Sequence, residues 1–435
     1  MDILLRDVHI LDSAQPQNIV VEGREITDVG PAAHLPDPEY EITGEHLFVT
    51  PTLANAHTHT PMTLLRGYSD NKTLFPWLQE IWSIEKHFRK DECRVGAELA
   101  FLEMIKGGTG LFVDFYFNED AVMGAAEEAG LRGYLGAAII EGAFLSQGGS
   151  EWMMGLAEDL CKRLANHPTL GVMVAPHAPH TCSEETLTKS LSLADKYQVP
   201  VTIHASETRD DVLQHQKDKG LPPVEWLDKK LGFFTGRQVL VAHSVWVQQR
   251  EVELMAERGA AMAFCPVSGQ KLAYGGMAPI PEFLEHNVPV CLATDGPASN
   301  NTLDMVREMR AAATMISHQR WDPTVVNARQ VLDMTTAHLQ QWLTGTRPEV
   351  RPGHPADLTV FDLSTAHTWP VLNPVSTLVY AANGSNAHSL VVGGKLLMQD
   401  RVVLTLDEVA VKQRARETVD DLMTLSSSEV DMPTS

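Results

Sequence analysis

Two histidines stand one residue apart in the stretch "NAHTHT", residues 55–60. Side chains in a β-strand alternate faces, so His57 and His59 point the same way. Two imidazoles side by side on one face can share a metal ion; a hydrogen-bonded pair at a strand end would use the same residues. Other apolar runs end in the same way. "LGVMVAPH" closes on His177, and "VPVTIH" closes on His204 with Glu207 three residues on. "QVLVAH" closes on His243 and "VPVCLATD" on Asp295. Scattered core histidines have no reason to choose the ends of strands repeatedly. Three imidazoles and a carboxylate around an open position make a catalytic zinc or iron site. Two-metal sites of this general kind use a carboxylated lysine as a bridge. Neither the fourth run nor the strand ends at 204, 243 and 295 contain a lysine, so one divalent metal per chain is expected, zinc first and iron as the alternative.

The elements that must position these groups are legible in the pattern. Eight apolar runs, 47–57, 108–115, 132–140, 170–177, 199–207, 238–244, 259–266 and 288–295, alternate with helix-like stretches such as "DECRVGAELAFLEMIKGG". Ser183, followed by Glu185 and Thr186, reads as an N-cap. Strands apolar on both faces and alternating with helices predict a parallel sheet covered by helices. Eight units of this size predict an α/β fold, a (β/α)8 TIM-type barrel, whose catalytic residues gather at the C-terminal ends of the strands. The first 50 residues and the segment from about 355 alternate apolar and polar residues between turns, and predict strands from both chain ends joined in one small β-structure. The expected organisation is a small β-sandwich built from residues 1–50 and 351–405, a barrel at 51–350 between them, and a C-terminal helix with a frayed acidic tail at 406–435.

Composition narrows the function further. The chain has 435 residues, 44% hydrophobic and 21% charged, as in soluble globular proteins. The net charge of −22 argues against nucleic acid or an anionic membrane as a partner, because both reward basic patches. No run reaches a membrane span, and no signal peptide is evident at "MDILLRDVHILD". The five cysteines are widely spaced without a CxxC, which speaks against a disulfide framework or a thiolate zinc site. A reducing cytoplasm is the expected location.

Several long motifs, in order, resemble the amidohydrolase superfamily and its single-metal deaminase and chlorohydrolase branch. They are "NAHTHTPMTLLRGYSDN", "FPWLQEIWSIEKHF", "APHAPHTCS", "IHASET", "VAHSVWV" and "ATDGPASNNTLDMVREMR". The pattern is similar to that of 5′-methylthioadenosine/S-adenosylhomocysteine deaminases and covers nearly the whole chain. The resemblance implies that His57, His59, His204 and Asp295 bind the metal and that Glu207 and His243 are catalytic, with Asp295 accepting the second proton. It implies that His177 and Glu85 contact the substrate, that Trp77 lines its pocket, and that the enzyme is a homo-oligomer.

The chain also departs from that pattern. Where the family reads "HNPxSNxKLASG", this chain reads "FCPVSGQKLAYGG", so Phe264, Cys265 and Gly269 replace a histidine and two asparagines. His180 stands where "APHAPYT" has tyrosine. The segment 141–155, "EGAFLSQGGSEWMMG", has Phe144, Leu145, Trp152 and two methionines but no arginine to hold a homocysteine carboxylate; an arginine could instead arrive from another segment, such as Arg132, or from a neighbouring subunit. The expected reaction is hydrolytic deamination of an adenine nucleoside to its inosine analogue and ammonia. Hydrolysis of another nitrogen heterocycle (guanine, a pterin, cytosine or an s-triazine) would use the same core residues. A non-catalytic barrel scaffold is a remote third reading, since such relatives usually lose ligands.

Overall fold

The computed structural model describes residues 2–430 except positions 12, 14 and 143–147, with the side chains of 426–430 also left aside. It is an α/β structure with parallel sheets. Leu53–Thr58, Thr109–Tyr116, Arg132–Ile139 and the interrupted pair Leu170–Val172 and Ala175–Pro176 form one parallel sheet. Val201–Ala205, Val239–His243, Ala261–Phe264 and Val290–Leu292 form a second. The two sheets join at both edges. Thr202 N donates to Val174 O at 2.9 Å and His204 N to His177 O at 3.0 Å on one side. On the other, Asp295 N donates to His57 O at 3.0 Å, and the Asn55 side chain accepts from Thr294 N at 3.0 Å. The eight strands therefore run round a closed ring.

Ala54, Ala56, Leu111, Val113, Met173, Leu240, Ala242, Ala261, Ala263, Cys291 and Ala293 pack as one buried cluster of small and mid-sized side chains. Helices cover the outside, and their ends follow ordinary capping chemistry. Ser183 caps Glu184–Tyr197, its Oγ accepting from Thr186 N at 3.2 Å, as the sequence predicts. Thr208 and Asp304 cap the helices Arg209–Lys219 and Met305–Arg320 in the same way.

The two chain ends meet in a single nine-stranded sheet, in which Leu47–Pro51 pairs antiparallel with Leu358–Asp362 and parallel with the first strand, Asp2–Ile10. The run 47–57, read from sequence as one strand, is thus two. It breaks at Thr52, whose N–H leaves the ring to bond Asp357 O at 3.0 Å. The C-terminal helix, Glu408–Val430, runs into the tail expected to be frayed, because extending an existing helix is far less costly than starting one. Residues 431–435 lie outside the described set.

One close approach fixes the first strand's exit. The helix Lys90–Lys106 lies against Thr60–Leu65, and a Cβ on Gly96 would meet Pro61 O at 2.5 Å and Pro61 Cα at 2.8 Å. Backbone cannot swing aside as a side-chain tip can. Overpacking of this kind costs roughly 1–3 kcal/mol, whereas Ala gains roughly 1 kcal/mol over Gly in a helix interior. Gly96→Ala is therefore expected to lower the thermal midpoint. Gly155→Ala, in the helix Gly149–Leu164 with nothing within 4 Å, is expected to raise it. A rise in both would show that the Pro61 contact is not tight.

Candidate active site

The residues singled out by spacing come together at the C-terminal end of the ring. The His57 and His59 rings are 4.8 Å apart, as are those of His57 and His204. His243 lies 5.5 Å from His57 and stacks on His204 at the same separation. His177 lies 4.7 Å from His204. Asp295 Oδ1 is 3.2 Å from His59 Nε2 and 3.7 Å from His57 Nε2. The backbone bends sharply to achieve this. His243 and Asp295 adopt φ of 71° and 64°, left-handed conformations that cost non-glycine residues of order 1–3 kcal/mol and cluster at functional sites.

Tautomers follow from the hydrogen bonds. His59 Nδ1 lies 2.5 Å from Phe115 O, and His204 Nδ1 lies 2.7 Å from His177 O. A carbonyl can only accept, so both Nδ1 atoms carry a proton, and in neutral His204 this leaves the lone pair on Nε2. His204 Nε2 is 3.1 Å from His57 Nε2. Burial, with the neighbouring histidines, holds His57 and His204 well below the usual imidazole range, so neither is positively charged at neutral pH. Burial would also lower His59, but its hydrogen bond to Asp295 raises it to about 9. Asp295 shows the converse. Burial opposes its charge, yet His59 and the other imidazoles keep its carboxyl well below the carboxylate range. Imidazole nitrogens gathered around an ionised carboxylate are a donor set for a cation. His57, His59 and His204 offer ligand atoms within 4.8 Å of one another, as do His57, His243 and Asp295. Nitrogen and carboxylate donors in this set fit a divalent metal.

A cavity opens beside this cluster. His59, His177, His204, Glu207, His243 and Asp295 form its floor, and Trp77, Trp82, Leu74, Leu78 and Glu85 form a wall. These five wall residues share one face of the helix Leu74–Glu85, at helical spacing. Trp77 is buried, so it packs and lines at once. Glu85 is buried against the Tyr116 hydroxyl, which donates to it. Burial raises the Glu85 carboxyl to about 7, against the pull of that bond. Burial also raises Glu207 despite His243 and Tyr274 beside it; its Oε1 is 3.7 Å from His243 Nε2. Burial lowers His177 to about 3, and its Nδ1 bonds Thr181 Oγ1 at 2.9 Å.

Several residues of the site escape a sequence reading. Ser268 and Ser299 donate to Asp295 Oδ2 at 2.6 and 3.0 Å. Asp114 accepts from the Thr60 N–H at 2.7 Å and from its hydroxyl, pinning the residue after His59. Tyr116 and Tyr274 line the cavity. None follows from spacing, although Ser268 and Ser299 lie within the quoted motifs.

The amidohydrolase family pattern matches residues 48–397. The chain belongs to the amidohydrolase family. This amidohydrolase is 34% identical over 397 residues to a 5-methylthioadenosine/S-adenosylhomocysteine deaminase of Pyrococcus abyssi, covering 91% of this chain and 92% of the relative. It is 36% identical over 430 residues to a 5′-deoxyadenosine deaminase of Methanosarcina barkeri, covering 97% and 99%. Among solved structures, an adenosine deaminase of Xanthomonas campestris with bound zinc superposes with a TM-score of 0.90 at 30% identity, over 97% of this chain and 98% of that one. An atrazine chlorohydrolase of Arthrobacter aurescens, at 22% identity over 96% and 100% and TM-score 0.85, shares the fold.

The metal site makes a thermodynamic prediction. A ligand that binds only the folded state stabilises it by about 2.7 kcal/mol at a hundredfold excess over Kd. Protein stripped by a chelator is expected to regain thermal stability on zinc addition, and Asp295→Ala protein to show little of this gain. An equal zinc-induced shift in the variant would place the ion elsewhere.

Proposed function

We propose that this amidohydrolase deaminates adenine nucleosides with a small uncharged 5′ group, 5′-deoxyadenosine or 5′-methylthioadenosine, giving the inosine analogue and ammonia. The observation that carries this reading is a single cavity. It joins a metal-binding floor, with His177 and two proton-handling groups, to a wall carrying Glu85 and Trp77, and among the described residues no lysine or arginine lines it. On this reading the ring is a TIM-type barrel and the nine-stranded sheet its accompanying β-sandwich. One zinc per chain, with iron as the alternative, is held by His57, His59, His204 and Asp295. We place the enzyme in the cytoplasm as a homo-oligomer; its five cysteines are all free and buried.

A divalent ion held by His57, His59, His204 and Asp295 would make water a stronger acid, lowering its pKa from about 16 to about 7. The protein's own groups handle the rest. Glu207 takes a proton from the attacking water and delivers it to the ring nitrogen beside the C–NH2 carbon. Its raised pKa suits a group that must hold a proton between the two transfers. His243 hydrogen-bonds the oxygen as it attacks and as the tetrahedral centre forms. Asp295 accepts the second proton and passes it to the departing ammonia. His177 and Glu85 orient the nucleoside, and Trp77 and Trp82 shield it from water.

The far end of the pocket argues for a small tail. An outer cavity shares Trp82 and His180 with the inner one and is lined by Glu141, Asp210, Asp211 and Asp218. Its lysine, Lys219, pairs with Glu184 at 3.0 Å, and His180 pairs with Asp211 at 3.1 Å. Arg132 opens the third ring strand at the opposite end of the ring, held by Asp357 at 3.0 Å; it does not supply the missing cation. Met153 turns its side chain into the core and Trp152 lines neither cavity, while Phe144 and Leu145 lie outside the described residues.

Two outcomes follow. Glu207→Gln is expected to keep its metal and lose about 10²–10⁴ in kcat, measured by ammonia release alongside elemental analysis; more than a tenth of normal turnover would remove Glu207 from its role. A carboxylate without a cation forgoes a charge-assisted bond of about 1.5–3 kcal/mol. Accordingly kcat/KM for 5′-deoxyadenosine and 5′-methylthioadenosine is expected to exceed that for S-adenosylhomocysteine by about ten- to a hundredfold. The reverse order in steady-state kinetics would mean that a cation reaches the tail from a neighbouring subunit.

A further inference from the structure

Glu85 is the last residue of the helix Leu74–Glu85. A carboxylate there meets the negative end of the helix dipole, and no basic residue stands in the last turn to offset it. The side chain is buried, which also works against its charge. It nonetheless lines the cavity, on the wall made by that helix. Its hydrogen bond comes from a ring strand, where the Tyr116 hydroxyl donates to Glu85 Oε1.

Tyr116 is held in place. It ends the strand Thr109–Tyr116, pairs with Ala137 of the next strand, and donates its backbone N–H to Glu119 Oε1 at 2.9 Å. Glu119 is itself buried. The buried Tyr116 ring has Phe117 at 5.0 Å, His59 at 6.3 Å and Phe88 at 6.4 Å between centroids. Burial, with Glu85 beside it, holds the phenol well above its usual range, so it keeps its proton. A phenol has one proton to donate. Directed at Oε1, it leaves Glu85 Oε2 to a donor from the cavity, which both residues line.

We propose that Tyr116 positions Glu85 for substrate binding: the phenol engages one carboxylate oxygen and turns the other toward the nucleoside. Tyr116 is a positioning residue, acting through Glu85. The inference rests on the reading of Glu85 as a substrate contact. A carboxylate on a two-carbon stem has several rotamers, and one hydrogen bond from a fixed phenol selects among them. Glu85 belongs to the wall and the reacting atoms to the floor, so the contact is the same before and during the reaction. Uniform binding of this kind sets KM and leaves kcat nearly unchanged. A bond that only tied the wall helix to the strand would alter stability and not the KM of the folded enzyme.

The test is steady-state kinetics on 5′-deoxyadenosine, with zinc content and thermal midpoint measured on the same samples. Kinetics are taken well below the lowest midpoint, so that lost stability does not mimic a change in KM. Tyr116→Phe removes only the hydroxyl. It is expected to raise KM about ten- to a hundredfold, the range for a hydrogen bond to a charged group, with zinc content unchanged and kcat within about threefold. Glu85→Leu removes the acceptor and is expected to raise KM at least as far. In that background Tyr116→Phe should change KM by less than about twofold; this non-additivity is the signature of a coupled pair. The double variant sets two apolar groups against each other, so its midpoint should lie near that of the unaltered enzyme. Tyr116→Phe with KM within about twofold of normal overturns the proposal. So does a rise in KM that tracks loss of zinc, which would assign Tyr116 to the metal-binding floor through Phe115 and His59. Equal effects of Tyr116→Phe in both backgrounds overturn the pairing. If Glu85→Leu leaves KM unchanged, the inference falls together with the reading of Glu85; if Glu85→Leu raises KM and Tyr116→Phe does not, the inference fails and the role of Glu85 stands.

Discussion

Imidazoles crowded around one ionised carboxylate dominate this structure. His57 Nε2 and His204 Nε2 lie 3.1 Å apart, and Asp295 Oδ1 lies 3.2 Å from His59 Nε2 and 3.7 Å from His57 Nε2. The surrounding protein holds these groups in place. Backbone carbonyls of Phe115 and His177 fix two of the rings. Ser268 and Ser299 fix the carboxylate. Outer hydrogen bonds of this type orient metal ligands and set their basicity.

The ring architecture follows from the same demand. The candidate ligands at the ends of the first, fifth and eighth strands can meet only if the sheet closes, and the closure is made beside them. Asp295 N bonds His57 O, and Asn55 ties the first strand to Thr294. The "NAHTHT" stretch therefore has three tasks: Asn55 closes the ring, His57 and His59 turn their rings into the cluster, and Thr60 anchors to Asp114. The left-handed turns at His243 and Asp295 place strain where the side chains must leave the strand direction.

Much of this was legible in the sequence. Strand-end histidines and Asp295 can be read because a parallel strand is a run of apolar residues and its end is marked by the first polar one. Glu207 follows from its place beside His204. The departure at Gly269 is visible too, but nothing in the sequence says that the Tyr274 ring lies against it. Tyr116 is equally silent; its partner Glu85 lies on a different element. Arg132 illustrates the opposite error. Its place before the segment 141–155 offers it as a cation for the substrate tail, yet eight residues of strand carry it to the far end of the ring, where Asp357 holds it. The split of 47–57 was hidden because both halves are apolar, and only pairing with Leu358–Asp362 distinguishes them.

The central claim is that one cation at this cluster makes the cavity a deaminase. Titrating zinc into chelator-stripped enzyme while following ammonia release from 5′-deoxyadenosine tests it most directly. The account predicts negligible release without metal and a linear rise that breaks at one zinc per chain. A break at two per chain, or undiminished release from the stripped enzyme, would contradict it.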